Sequence, residues 1–267
     1  MRADLATRTL ADHRRSLIAW AVGIGLYVAL IVVVWPSIRD STQLSKAFTD
    51  YPDTLKELFG GNASFDFATS AGYLNAELFS LMYPLFLTVF AIAFGASTLA
   101  GEEERGLLDL VLSHPVRRDR LVTEKAVAMV VALAVLAVAT GTTMLVVGAV
   151  VDLGASTSRV VAAVVGSALV ALVAGAVALL VGAWRGHRAA AIGAAAVIFG
   201  AGYLVQVLSA LVDAFDPLRW LSPMYLANGT MPIRTGWPWA RYGVLVVVAV
   251  LLVAAARAVF TRRDIGR

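Results

Sequence analysis

Six apolar runs constrain this chain more than any other feature, at about 17–36, 75–100, 125–151, 160–184, 189–212 and 241–260. A hydrocarbon core about 30 Å thick takes about 20 helical residues to cross. Inside it each segment must satisfy its own backbone N–H and C=O groups, so runs of this length read as helices. The fold class expected is therefore an all-α polytopic membrane protein with six transmembrane helices. With 60% hydrophobic and 15% charged residues over 267 positions, little chain remains for a soluble domain. The expected division is an amphipathic cytoplasmic helix over 1–16, a six-helix domain over 17–260 containing a charged loop at 101–124, and a cytoplasmic tail at 261–267.

Orientation follows from Lys and Arg, which collect on cytoplasmic flanks. With the N-terminus inside, the inner segments hold fifteen of the 22 basic residues, among them Arg14, Arg15, Arg105, Arg117, Arg118, Arg120, Lys125, Arg185, Arg188, Arg262 and Arg263. The outer segments hold Arg39, Lys46, Lys56, Arg159, Arg219, Arg234 and Arg241. Both termini are expected in the cytoplasm, and the plasma membrane is the expected location. This asymmetry accounts for the net charge of +4, which therefore gives no separate support for nucleic-acid binding. Before the first span, Leu5, Thr9, His13 and Leu17 share one helical side, and Asp4, Arg8, Asp12 and Arg15 the other. Such a helix lies along the membrane surface, either as a lever docked to a partner or as an interfacial anchor. The loop 37–74 reads as a partly helical cap or a gate, and Trp220, Trp237 and Trp239 suit an interface belt. Small residues such as Gly166, Ala171, Gly175 and Gly182, and again Gly193, Ala196 and Gly200, allow close helix packing within the subunit or at a dimer seam.

The contents of the spans exclude several function classes. A charge near the bilayer centre costs about 2.5–3.5 kcal/mol and usually marks a relay or ion site. The six span centres hold no Asp, Glu, Lys, Arg or His; Glu77 and Arg257 come nearest, both close to span ends. A secondary transporter with its own carboxylate relay is thus disfavoured. Intramembrane hydrolysis is disfavoured too, because His13, His114 and His187 fall in cytoplasmic segments, leaving Ser97 and Ser167 without a base. No catalytic or metal site is expected, and zero cysteines exclude disulfides and thiolate ligands. No G-x-x-x-x-G-K-[ST] loop occurs, so an ATP-driven function needs a second polypeptide.

Residues 101–125, GEEERGLLDLVLSHPVRRDRLVTEK, form a charged, proline-stopped segment between two apolar runs. At 100° per residue, Leu107, Leu108, Leu110, Val111 and Leu112 fall on one arc, with Asp109 and Ser113 opposite. Glu102, Glu103 and Glu104 favour the N-terminal end of such a helix through its dipole, and Pro115 stops it. A loop this small cannot bury that arc, which must meet headgroups, other spans or a partner.

These residues resemble the ABC-2 type membrane subunits of ATP-binding-cassette transporters, whose segment reads like E-x-E-x-G-T-L-x-x-L-L-x-x-P-V-S-R with a lysine opening the next span. The matching positions are Glu102, Glu104, Gly106, Leu108, Val111, Leu112, Pro115, Val116, Arg118 and Lys125, with departures at Leu107 and Arg117. Similarity continues through GYLNAELFSLMYPLF, Leu221-Ser222-Pro223 and the ending Phe260-Thr261-Arg262-Arg263-Asp264-Ile265. The resemblance implies a half-transporter that pairs with an identical or related permease subunit and sits on a separate ATPase holding ATP and Mg2+. It implies that 104–115 is a coupling helix and 3–16 an interface helix. Leu108, Val111 and Leu112 are the expected plug into the ATPase, with Glu102, Glu104 and Arg118 holding the element and Gly106, Pro115 and Lys125 completing the set. The function expected is export of an amphipathic or lipophilic molecule; the alternative is a membrane scaffold whose 101–125 loop binds another cytosolic protein.

Overall fold

The computed structural model describes residues 5–39, 69–107 and 117–263, and among these the chain is all-helical, with no strand. Six helical segments are long and apolar enough to cross a membrane. They are α1 (Leu5–Arg39), a broken second span made of α2 (Ser70–Leu74), a π-helical turn (Asn75–Phe79) and α3 (Met82–Thr98), then α5 (Arg118–Val150), α6 (Thr157–Arg185), α7 (Arg188–Leu211) and α10 (Trp239–Arg262). A short α4 (Ala100–Glu104) continues from α3, while a 3-10 segment (Asp213–Leu221), α8 (Pro223–Asn228) and α9 (Pro232–Thr235) connect α7 to α10.

Helix α6 is the centre. Its small side chains let α3 pack almost backbone to backbone: a Cβ on Gly175 would lie 3.0 Å from the carbonyl oxygen of Ala91, and one on Gly95 would lie 3.3 Å from the Gly175 carbonyl carbon. Gly166 receives the Tyr242 ring of α10, and Tyr242 Oη donates to the carbonyl of Ala162 at 2.7 Å. Gly166, Gly175 and Gly182 of the small-residue stripe thus serve packing inside the subunit. Helices α5, α7 and α10 complete the ring around α6, and α1 lies along α5. The outward side of α1 carries Ile18, Val22, Leu26, Leu30 and Val33, all exposed, while Ile24, Val28, Val32 and Trp35 are buried. A helix apolar on both sides suits lipid on one and protein on the other.

Two differences from the sequence reading have physical causes. No junction separates 1–16 from 17–36: α1 is unbroken from Leu5 to Arg39. The stretch before Gly23 contains neither Gly nor Pro to end a helix, and Thr9 and His13 turn toward the bundle, where Thr9 is buried. The third span starts at Arg118 rather than 125, because its polar first turns are held by Arg117–Asp119 and Arg120–Glu124 pairs. The connection after α7 packs into the bundle: Met224, Ala227, Asn228 and Ile233 are buried against the spans, with Ser222 Oγ capping α8 by accepting from Tyr225 N–H at 3.3 Å. Trp239 and Trp220 remain exposed at that end.

Candidate functional site

The root of the 101–125 loop is a charge clasp. Three consecutive glutamates at the end of α4 each grip a different part of the bundle. Glu102 Oε1 meets Lys125 Nζ at 2.5 Å, and the same ammonium donates to Thr9 Oγ1 at 3.0 Å, so one lysine of α5 joins α4 to α1. Glu103 takes a bidentate pair from Arg263, Nη2 to Oε1 at 2.5 Å and Nη1 to Oε2 at 3.0 Å, and that guanidinium also donates to the carbonyl of Ala183 at 3.2 Å. Glu104 Oε1 accepts the backbone N–H of Arg188 at 2.8 Å, at the start of α7, and lies 3.8 Å from His187 Nδ1. A carboxylate at a helix N-terminus meets both an unpaired N–H and the positive end of the dipole. The glutamates therefore answer cations and a helix end from other segments.

Two glycines make the geometry possible. Gly186 ends α6 in the left-handed region, φ 69°, so that a two-residue turn can restart the chain as α7. A Cβ there would lie 2.8 Å from the Glu103 carboxylate oxygens and closer still to the Arg263 guanidinium. Gly106, φ 67°, turns the chain out of the clasp, its N–H donating to the carbonyl of Glu103 at 2.9 Å. That turn gives a conformational reason for glycine at this position of the motif.

Exposure separates the anchor from its accessories. Lys125 and Glu102 side chains are 6% and 15% exposed, whereas Arg117 opposite Asp119 is 82% exposed. Breaking a buried pair costs about 3–5 kcal/mol, and an exposed pair contributes about 0–1 kcal/mol. The Glu102–Lys125 pair therefore carries most of the clasp's stability. On its far side, Arg118 Nη1 donates to the carbonyl of Arg263 at 2.8 Å, and Asp119 lies between Arg117 and Arg257. The structure thus brings together Glu102, Glu104, Arg118 and Lys125, with Gly106 at the exit. Leu108, Val111, Leu112 and Pro115 lie outside the described residues; Leu107, just before them, is exposed.

A protein-family model described as the C-terminal domain of the multidrug efflux system permease Rv1217c matches residues 5–261. The chain belongs to that family. No curated protein gave a match. The permease is thus a multi-pass membrane protein of a transport family, and the clasp joins spans at the end of the bundle where both described chain ends lie.

Sequence reasoning missed Glu103 and Arg263, the bidentate pair, although the run of three carboxylates against a basic last-helix end was the available signal. It also set His13 apart from Ser97. In the permease His13 Nε2 lies 3.2 Å from Ser97 Oγ, its Nδ1 2.9 Å from the carbonyl of Thr9, and its ring 4.7 Å from that of Phe94. Ser97 Oγ also bonds back to the carbonyl of Phe94 at 2.9 Å, inside a continuous helix. Its hydroxyl is held by its own helix, so the pair ties α1 to α3.

Proposed function

We propose that this permease is the membrane subunit of an ATP-binding-cassette exporter, resting on a separate cytosolic ATPase through residues 101–125. The observation that carries the reading is the clasp: the chain on either side of the loop is tied by Glu102, Glu103, Glu104 and Arg118 to α1, α5, α7 and the end of α10. A displacement of the loop is therefore passed to four spans at once. Leu108, Val111 and Leu112 form the apolar plug that enters the ATPase, and Pro115 and Gly106 bound it.

On this reading the clasped end faces the cytoplasm of the plasma membrane, and a second permease subunit, identical or related, completes the translocation path. ATP and Mg2+ belong to the partner chain. Approach of two ATPases pushes the paired loops together, and the clasp converts that push into a shift between two packings of the bundle, which differ in which end is open. The cargo is amphipathic or lipophilic, in keeping with the family's description as a multidrug efflux permease.

Purification of the tagged permease in mild detergent, with mass spectrometry of what accompanies it, tests the proposal. A phosphate-loop ATPase is expected in near-equal amount with the wild-type protein. It is expected to be lost with Leu108→Arg or Val111→Asp, while both variants still insert in the membrane. Recovery of the wild-type permease without an ATPase, or undiminished recovery with both variants, overturns it.

A further inference from the structure

The second span is made of two pieces. Its far piece, away from the clasp, is α2 with the π turn and covers 70–79; its clasp-side piece is α3, from Met82 to Thr98. Pro84, the third residue of α3, has no N–H to offer the carbonyl of Ser80 four residues earlier. Leu81, just before α3, takes φ −147° and ψ −56°, outside the helical range. The carbonyls above this break are received by side chains. Ser80 Oγ donates to that of Ala76 at 2.7 Å, Tyr27 Oη of α1 to that of Glu77 at 3.2 Å, and Asn228 Nδ2 of α8 to that of Phe79 at 2.8 Å. In lipid a helix break is tolerated where such donors replace lost backbone bonds. Sharp bends in long helices fall at proline and at π turns, and this span has both.

The two pieces have different neighbours. Helix α3 lies almost backbone to backbone on α6 through Gly95 and Gly175, and it leads through α4 into the glutamate clasp. Contacts this close leave no slack for one helix to slide on the other. The far piece is held instead by single side-chain contacts. Tyr73 Oη donates to the carbonyl of Ile31 at 2.9 Å, and its ring lies 5.4 Å from that of Trp35, both on the far part of α1. Tyr27 straddles the break, with its hydroxyl on the far piece and its ring 5.2 Å from Phe86 of α3. Bonds of this kind are exchanged one at a time. Hinges in moving domains are a few residues at the ends of elements, flanked by bodies that keep their own packing, and 80–84 has that form.

We infer that residues 80–84 are a hinge on which the far piece of span two moves while α3 stays on α6. The inference deepens the transport reading and rests on it for purpose, since the swing opens the far end of the bundle; the hinge itself is measured without transport. The chain has no cysteine, so spin labels attach only where one is introduced. Pulsed electron paramagnetic resonance in lipid nanodiscs measures two pairs: Ser70→Cys with Val89→Cys across the hinge, and Val89→Cys with Val161→Cys between α3 and α6. The cross-hinge distance distribution is expected to be about twice as wide as the α3–α6 one or wider. Pro84→Ala returns an N–H for the Ser80 carbonyl and is expected to narrow it clearly. Tyr27→Phe combined with Asn228→Leu removes two holding donors and is expected to widen it. Both leave the α3–α6 distance unchanged. A wild-type cross-hinge distribution as narrow as the α3–α6 one, or an unchanged width in Pro84→Ala, overturns the inference. So does an α3–α6 distance that broadens together with the other, because the bundle then loosens as a whole. If the cross-hinge distribution is wide and narrows in Pro84→Ala but no ATPase accompanies the permease, the ABC reading fails while the hinge stands.

Discussion

Replacing Lys125 with methionine isolates the energetic centre of the clasp. The substitution keeps a long apolar stem but removes the ammonium that contacts Glu102 at 2.5 Å and Thr9 at 3.0 Å. Glu102, 15% exposed, is left with little water and no counter-charge. Removing one member of a buried pair costs about 3–5 kcal/mol, and the residual exposure of Glu102 places the expected cost near 3 kcal/mol. For a chain of this size each kcal/mol moves the melting temperature by about 2–4 °C, so a fall of about 6–12 °C is expected in fluorescence-detected unfolding of the detergent-purified permease. Glu102→Leu alone falls by a similar amount, because it strands an ammonium that is 6% exposed. The double variant Glu102→Leu/Lys125→Met buries no charge and is expected to fall no further than either single variant, giving a coupling energy of about 3 kcal/mol. Single variants within 1 °C of wild type, or additive losses in the double variant, would refute the assignment of the clasp's stability to this pair.

The helix contacts make further predictions. Gly95→Val drives a branched side chain into the backbone of Gly175 and is expected to abolish a monodisperse peak in size-exclusion chromatography, whereas Gly23→Ala, with nothing within 4 Å of its new Cβ, raises stability by up to about 1 kcal/mol. Gly166→Ala presses on the Tyr242 ring, 3.1 Å from its Cε1, costing about 1–3 kcal/mol, and Tyr242→Leu should lose less in that background than in the wild type. Arg263→Ala and Glu103→Gln each free the end of α10; both are expected to speed tryptic cleavage after Arg262 with a stability loss of about 1–3 kcal/mol, between the exposed and buried limits for a pair that is 22–24% exposed. Unchanged cleavage in both variants would show that another contact holds α10.

The clasp shows where a linear reading stops. The residues Glu102, Glu104, Arg118 and Lys125 were legible as a charged motif, since their types and spacing are local properties of the 101–125 segment. Their partners were not. Lys125 is 23 residues from Glu102 and 116 from Thr9, and Arg263 is 160 from Glu103. No periodicity links positions so far apart, and the small-residue stripe on α6 suited packing within the subunit or at a dimer seam until α3 was seen lying against it. The π turn at Asn75–Phe79 was hidden for a related reason: NAELF is ordinary helical sequence, and the one-residue slip is held by Tyr27 and Asn228.

What the chain determines by itself is its class and its number of spans, because about 20 apolar residues in a row have one stable state in lipid, a helix that satisfies its own backbone. Tertiary structure alone decided that α1 runs unbroken into the bundle, that three adjacent glutamates reach three different segments, and that the π turn is held by Tyr27 and Asn228. Those outcomes depend on which surfaces meet once the helices are formed. In a uniformly apolar chain the choice rests on glycine contacts and a few ion pairs, whose partners the local pattern does not specify.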